Sequence, residues 1–136
     1  MGELNQLTRV LLDSNELWQL GEPQKALKLL DQTISEAIRQ KKDQWVQVLC
    51  RHAALISDSV GDLALSKQYN EQTLVYGPDN PMALYGLAKV LSLQGETELA
   101  NQYAMRCRDV VVRSGNEMYQ GMLDLIAKRW PEIEER

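Results

Sequence analysis

Leu20-Gly21-Glu22, Val60-Gly61-Asp62 and Gln94-Gly95-Glu96 are three copies of one short phrase in which a glycine is followed by an acidic residue. Gly61 and Gly95 stand 34 residues apart, and Gly21 and Gly61 stand 40 apart. Five residues after each glycine comes a small residue (Ala26, Ser66, Ala100), and seven further on another (Thr33, Thr73, Cys107). Seven residues before each glycine the side chain is again small: Ser14, Ala54 and Ala88. Small side chains at a fixed register on both sides of a turn are what two helices need in order to cross at the usual ~8–10 Å between axes. The phrase therefore predicts a helix-turn-helix unit that occurs three times.

The rest of the punctuation agrees. Gly77-Pro78-Asp79-Asn80-Pro81, Gly115-Asn116 and Trp130-Pro131 mark further breaks. Between the marks the apolar residues recur every three to four positions, the spacing with which a helix buries one face. The first segment, 4–20, carries Leu4, Leu7, Val10, Leu11, Leu17 and Leu20; the second, 23–39, carries Ala26, Leu27, Leu29, Leu30, Ile34, Ala37 and Ile38. The others run 44–60, 63–76, 81–94, 97–113 and 116–130. No segment alternates with period two, and none is dense in β-branched and aromatic residues, so strands are not expected. The chain reads as all-α, with seven helices joined by short turns.

Composition narrows the function. The 136 residues are 44% apolar and 25% charged, which suits one soluble folded domain spanning 1–136. A net charge of −4 gives no electrostatic reason to bind nucleic acid or an anionic membrane. The amino terminus lacks the basic and apolar blocks of an export signal, so a cytoplasmic location is expected. Cys50 and Cys107 are then expected to stay reduced and to pack as small hydrophobes. The single histidine, His52, and two separated cysteines do not make a metal set, and no phosphate-binding loop, zinc-protease motif or nucleophile elbow is present. No enzyme activity and no cofactor are expected, and Glu132 to Arg136 reads as a frayed end.

The 34-residue period, the glycine and acid at the turn, the small residues at the crossings and Pro78-Asp79-Asn80-Pro81 at a junction resemble the tetratricopeptide repeat (TPR) proteins. The resemblance covers nearly the whole chain and sets repeats at about 7–46, 47–80 and 81–114, with a closing helix at 115–130. It implies a right-handed superhelix of antiparallel helix pairs whose concave side holds a peptide or helix of another protein. Three positions depart from the family pattern: Asp13 and Ser57 stand where a large apolar residue is usual, and Asn70 where an aromatic one is usual.

In such a fold the groove is walled by the first helix of each pair, which nominates Asn15, Trp18, Arg51, Tyr85, Lys89 and Tyr119, with Leu55, Asp58, Ser92, Leu123 and Ile126 beside them. Aromatic anchors, the cations Arg51 and Lys89, and the amide of Asn15 suit a protein ligand with an acidic segment. Asn15 and Lys89 match residues with which some family members clamp a terminal carboxylate, whereas Leu11 stands where those members carry a first basic residue. The expected function is a non-enzymatic scaffold or adaptor that binds a protein partner. The alternative is homo-oligomerisation through the last helix, where Met118 and Leu125 widen the apolar stripe of Tyr119, Met122 and Ile126, which nominates Met118, Met122 and Leu125 for self-association.

Overall fold

The computed structural model describes the backbone of residues 2–135 and the side chains of residues 6–134. Seven α-helices follow one another: α1 (Gly2–Gln19), α2 (Pro23–Arg39), α3 (Asp43–Ser59), α4 (Leu63–Tyr76), α5 (Pro81–Leu93), α6 (Thr97–Ser114) and α7 (Gln120–Arg129). Short 3₁₀ turns at Glu117–Tyr119 and Pro131–Glu135 flank the last helix, and no strand occurs among the described residues. The all-α expectation holds, and six of the seven helices begin and end within two residues of where the periodicity puts them.

The three glycine turns are built alike. Gly21, Gly61 and Gly95 take φ of +80°, +77° and +83°, values that a side chain disfavours. In each turn the glycine N–H donates to the carbonyl three residues back, and the next N–H to the carbonyl five back: Gly21 to Trp18 and Glu22 to Leu17, Gly61 to Asp58 and Asp62 to Ser57, Gly95 to Ser92 and Glu96 to Leu91. These bonds satisfy carbonyls that a helix end leaves open. The connection from α2 to α3 uses the same pair of bonds, Lys41 to Ile38 and Lys42 to Ala37, but with Lys41 at φ +58° where the others have glycine.

Two compact units divide the chain, Met1–Pro78 and Asp79–Arg136. The boundary falls inside the Gly77 to Pro81 break. In the first unit α1 packs on α2 and α3, α2 on α3, and α3 on α4. Its core is formed by Leu7, Leu27, Leu30, Ile34, Val46, Leu49 and Ile56 together with small residues at the crossings. Leu4, assigned to the same apolar set by its spacing, lies outside the described side chains. Among the small residues of the register, Ser14, Ala54, Ala26 and Ser66 have no accessible surface.

The second unit repeats the arrangement with Leu84, Leu87, Ala88, Leu91, Ala100, Ala104 and Cys107 between α5 and α6, and α7 packs on α6. Asn80 caps α5 through Ala83 N–H, and Gly115 ends α6 in the left-handed region. The closing segment differs from the expected single helix over 116–130. Asn116 accepts from Met118 N–H, a 3₁₀ turn precedes α7, and α7 spans only Gln120–Arg129. The reading of Glu132 to Arg136 as a frayed end is also corrected for 132–135, while Arg136 lies outside the described residues. Trp130 and Ile133 are buried, and the Ile133 carbonyl accepts from Arg108 Nη1 at 3.1 Å, because Pro131 turns the chain so that two apolar side chains three apart both face the core.

Candidate protein-binding surface

On α3 the residues Arg51, Leu55 and Asp58 recur at the three-to-four spacing that gives a helix a single face. Leu55 is exposed, while Arg51 and Asp58 are half-buried. The Arg51 guanidinium donates from Nη1 to Asn70 Oδ1 on α4, and its Nε is buried without a hydrogen-bond partner. Asn70 itself is fully buried, and its amide donates to the Ser66 carbonyl at 3.0 Å. Asp58 Oδ1 accepts from Ser66 Oγ at 2.5 Å. Asn70, one of the departures from the repeat pattern, is thereby accounted for: an amide replaces an aromatic ring because a guanidinium reaches it from the facing helix.

Burial disfavours the charged form of Arg51, pulling its pKa below the usual arginine range, and the negative charge of Asp58 opposes that shift. No carboxylate forms an ion pair with Arg51 among the described residues. A guanidinium held on one edge by a neutral amide retains its charge for a second, negative partner.

Next to it, His52 packs edge-on against Trp18 of α1, with ring centroids 6.3 Å apart, and its Nε2 is buried and unpartnered. Desolvation lowers the His52 pKa from its ordinary value. Trp18 and Asn15 are half-buried on α1. Trp18 thus joins the helix-helix contact and still leaves part of its ring accessible.

In the second unit Tyr85 and Lys89 are half-buried one turn apart on α5. Tyr85 meets a neighbour that the sequence reading did not supply: Trp130 stands edge-on to its ring at 5.6 Å, and Arg129 Nε donates to its hydroxyl at 3.1 Å. Trp130 Nε1 also donates to Ser92 Oγ at 2.8 Å. Tyr119 is half-buried just before α7, and Ile126, placed beside the groove by repeat arithmetic, lies in the core with 1% of its surface exposed. Of the three residues assigned to self-association, Met118 and Leu125 face outward, at 85% and 50% exposure. Met122 is half-buried, with its sulfur 3.5 Å from Cys107 Sγ.

Both thiols are fully buried, and burial pushes each to a pKa of about 12, so they are protonated at neutral pH and poor nucleophiles. Among the described residues no group of three or more His, Cys, Asp and Glu side chains could hold a metal ion, and no helix is long and apolar enough to cross a membrane.

No protein-family model matches the chain, and no curated protein matches it in sequence. Solved structures do match it in fold. The type III secretion translocator chaperone SycD of Yersinia enterocolitica superposes with a TM-score of 0.77, covering 96% of this chain and 91% of its own, at 12% identity. The TPR domain of Sgt2 from Aspergillus fumigatus gives 0.69, covering 96% of this chain and 83% of that one, at 14% identity. The TPR-containing C-terminal domain of a Plasmodium falciparum FK506-binding protein gives 0.67, covering 96% and 91%, at 15% identity. The chain has a TPR-like fold.

Proposed function

We propose that this chain is a non-enzymatic protein-interaction scaffold of the cytoplasm, which takes a peptide or helix of a partner protein along the first helices of its pairs. The working repeats are those at 7–46, 47–80 and 81–114, closed by 115–130. The bound segment is acidic. One observation carries this reading: among the described residues the half-buried cation Arg51 has a neutral amide as its one hydrogen-bonded neighbour, with the exposed Leu55 one turn along α3 and the partly exposed Trp18 against the adjacent His52. A half-buried charge with no carboxylate in ion-pair contact is costly, since Asp58 offsets its desolvation only from a distance, and a carboxylate from a partner would relieve that cost while Leu55 and Trp18 supply apolar contact. Lys89 on α5 is a half-buried cation of the second unit.

The test is a selection of random-sequence peptides displayed on phage, run against the wild-type chain and against an Arg51→Leu, Lys89→Leu variant whose circular dichroism matches wild type. Enrichment of acidic peptides by wild type alone supports the reading. Enrichment without acidic bias, or the same peptides recovered by both proteins, overturns it.

Exposure of Met118 and Leu125, with Val112 at 62% exposure, favours a second reading, in which the last helix joins copies of the chain. A mass that rises with concentration and returns to that of a monomer in Met118→Glu is its signature.

A further inference from the structure

We propose that the seam between α1 and α2 is a second docking surface, and that its occupant is a cationic amphipathic helix of a partner protein. A cleft of about 390 Å³ opens there, lined by Asp13, Glu16, Leu17, Leu20 and Leu29. Its volume is in the range of sites that accept a substantial group. Leu20, at the end of α1, is 68% exposed at its mouth, and Leu12, two turns back on α1, is 63% exposed. At about 100° per residue, Leu12, Asp13, Glu16 and Leu17 on α1, with Leu20 just past its end and still bonded through its N–H to the Glu16 carbonyl, fall within an arc of about 140°. Leu11, Asn15 and Trp18 lie on the other side of that helix, so this surface is separate from the Arg51 face.

The chemistry of the lining selects the occupant. Asp13 and Glu16 are exposed and have no ion-pair partner among the described residues, and Arg9, the nearest cation on α1, pairs with neither. Leu12, Glu16 and Leu20 are spaced four residues apart, so they form a row of apolar, anionic and apolar groups with one step about every 6 Å. A helix lying along α1 that carries an apolar, a basic and an apolar residue at the same spacing fills that row. Its basic side chain can lay its methylenes on Leu20 and bring its charge to Glu16 and Asp13. An extended segment gains nothing comparable here, since the surface is helical and offers no strand edge to extend.

The probe is a synthetic helical peptide with leucines at i and i+8 and lysine at i+4, labelled for fluorescence anisotropy, together with the same peptide carrying glutamate at i+4. The wild-type chain is expected to bind the lysine peptide, more weakly as salt rises, and not the glutamate peptide. Affinity should fall about tenfold or more in Asp13→Lys, Glu16→Lys and in Leu20→Ser. It should be kept in Glu71→Lys, Asp79→Lys, which makes the same change of charge at exposed sites elsewhere. All substituted positions are exposed, and circular dichroism checks that each variant is folded.

The proposal is overturned if wild type does not bind the lysine peptide, or if both peptides bind alike. Equal loss in the remote pair would mean diffuse attraction to an acidic protein and would overturn it too. So would retention of binding by the Asp13, Glu16 pair variant. A concentration-dependent doubling of mass that Leu20→Ser abolishes would assign the seam to a second copy of the chain instead.

Discussion

The helix pairs α3–α4 and α5–α6 share a turn, a register and a set of buried small residues, yet one pair of equivalent places is filled with unlike chemistry. Ten residues before the turn glycine and nine after it stand Arg51 and Asn70 in one pair, and Tyr85 and Ala104 in the other. In the first pair the two places are joined by a hydrogen bond from a cation to a buried amide. In the second, the tyrosine meets Trp130 and Arg129 from the end of the chain instead. The difference shows which positions of the repeat are fixed by backbone geometry and which are open to chemistry. Gly61 and Gly95 answer to φ, and Ala54 and Ala88 answer to the distance between helix axes. The places at minus ten and plus nine require only that something fill them.

That claim can be broken by exchanging the two solutions. Asn70→Ala removes the acceptor that Arg51 Nη1 has among the described residues, and it should cost about 1.5–3 kcal/mol, the range for hydrogen bonds to charged groups. Arg51→Tyr combined with Asn70→Ala transplants the residues of the α5–α6 pair and should recover most of that loss. Urea unfolding of the two single variants and the double variant gives the coupling energy directly. A double variant as unstable as the sum of the singles would show that the two places are not interchangeable between repeats.

The turns offer a second comparison, of smaller size. Gly61→Ala forces a side chain into the left-handed region and should destabilise by about 1 kcal/mol. Lys41→Gly should do the opposite. Lys41 already sits at φ +58° in a turn with the same hydrogen bonds, so glycine relieves strain there. Part of the relief is offset by the greater freedom of glycine in the unfolded chain, and about 0.5 kcal/mol of net gain is expected. Thermal midpoints of the two variants should move in opposite directions from wild type.

These comparisons also show what the sequence made legible. The glycine turns, the limits of the first six helices and the burial of Ser14, Ala26, Ala54, Ser66, Ala88 and Ala100 follow from local rules: left-handed φ favours glycine, and close crossing needs a small side chain. The partners of the candidate site residues do not follow from local rules. Arg51 and Asn70 are 19 residues apart and Tyr85 and Trp130 are 45 apart, so neither contact leaves a mark on the spacing. Asn70 did carry a signal, as a polar residue in an apolar register, and such a residue points to a buried partner across the crossing. Ile133 gave none, because a single isoleucine among glutamates after a proline has the composition of a loose end. Only the carbonyl bond from Arg108 and the burial of Trp130 and Ile133 identify that segment as part of the core.

The smallest expected effect separates His52 from its neighbour on α3. Both side chains have a buried nitrogen without a partner, but only the imidazole can shed its charge near neutral pH. Desolvation lowers the folded-state pKa of His52 below 6.5, the ordinary value. As the pH drops below 6.5, the unfolded chain takes up a proton that the folded chain refuses, so the unfolded state binds more protons and stability falls with falling pH. Above that value the contribution is complete. Urea midpoints measured from pH 7.5 downward should therefore decline more steeply in wild type than in His52→Phe, which keeps an aromatic ring against Trp18 and cannot titrate. Identical slopes would mean that His52 is as well solvated in the folded chain as in the unfolded one, and that the Trp18 contact does not exclude water from its Nε2.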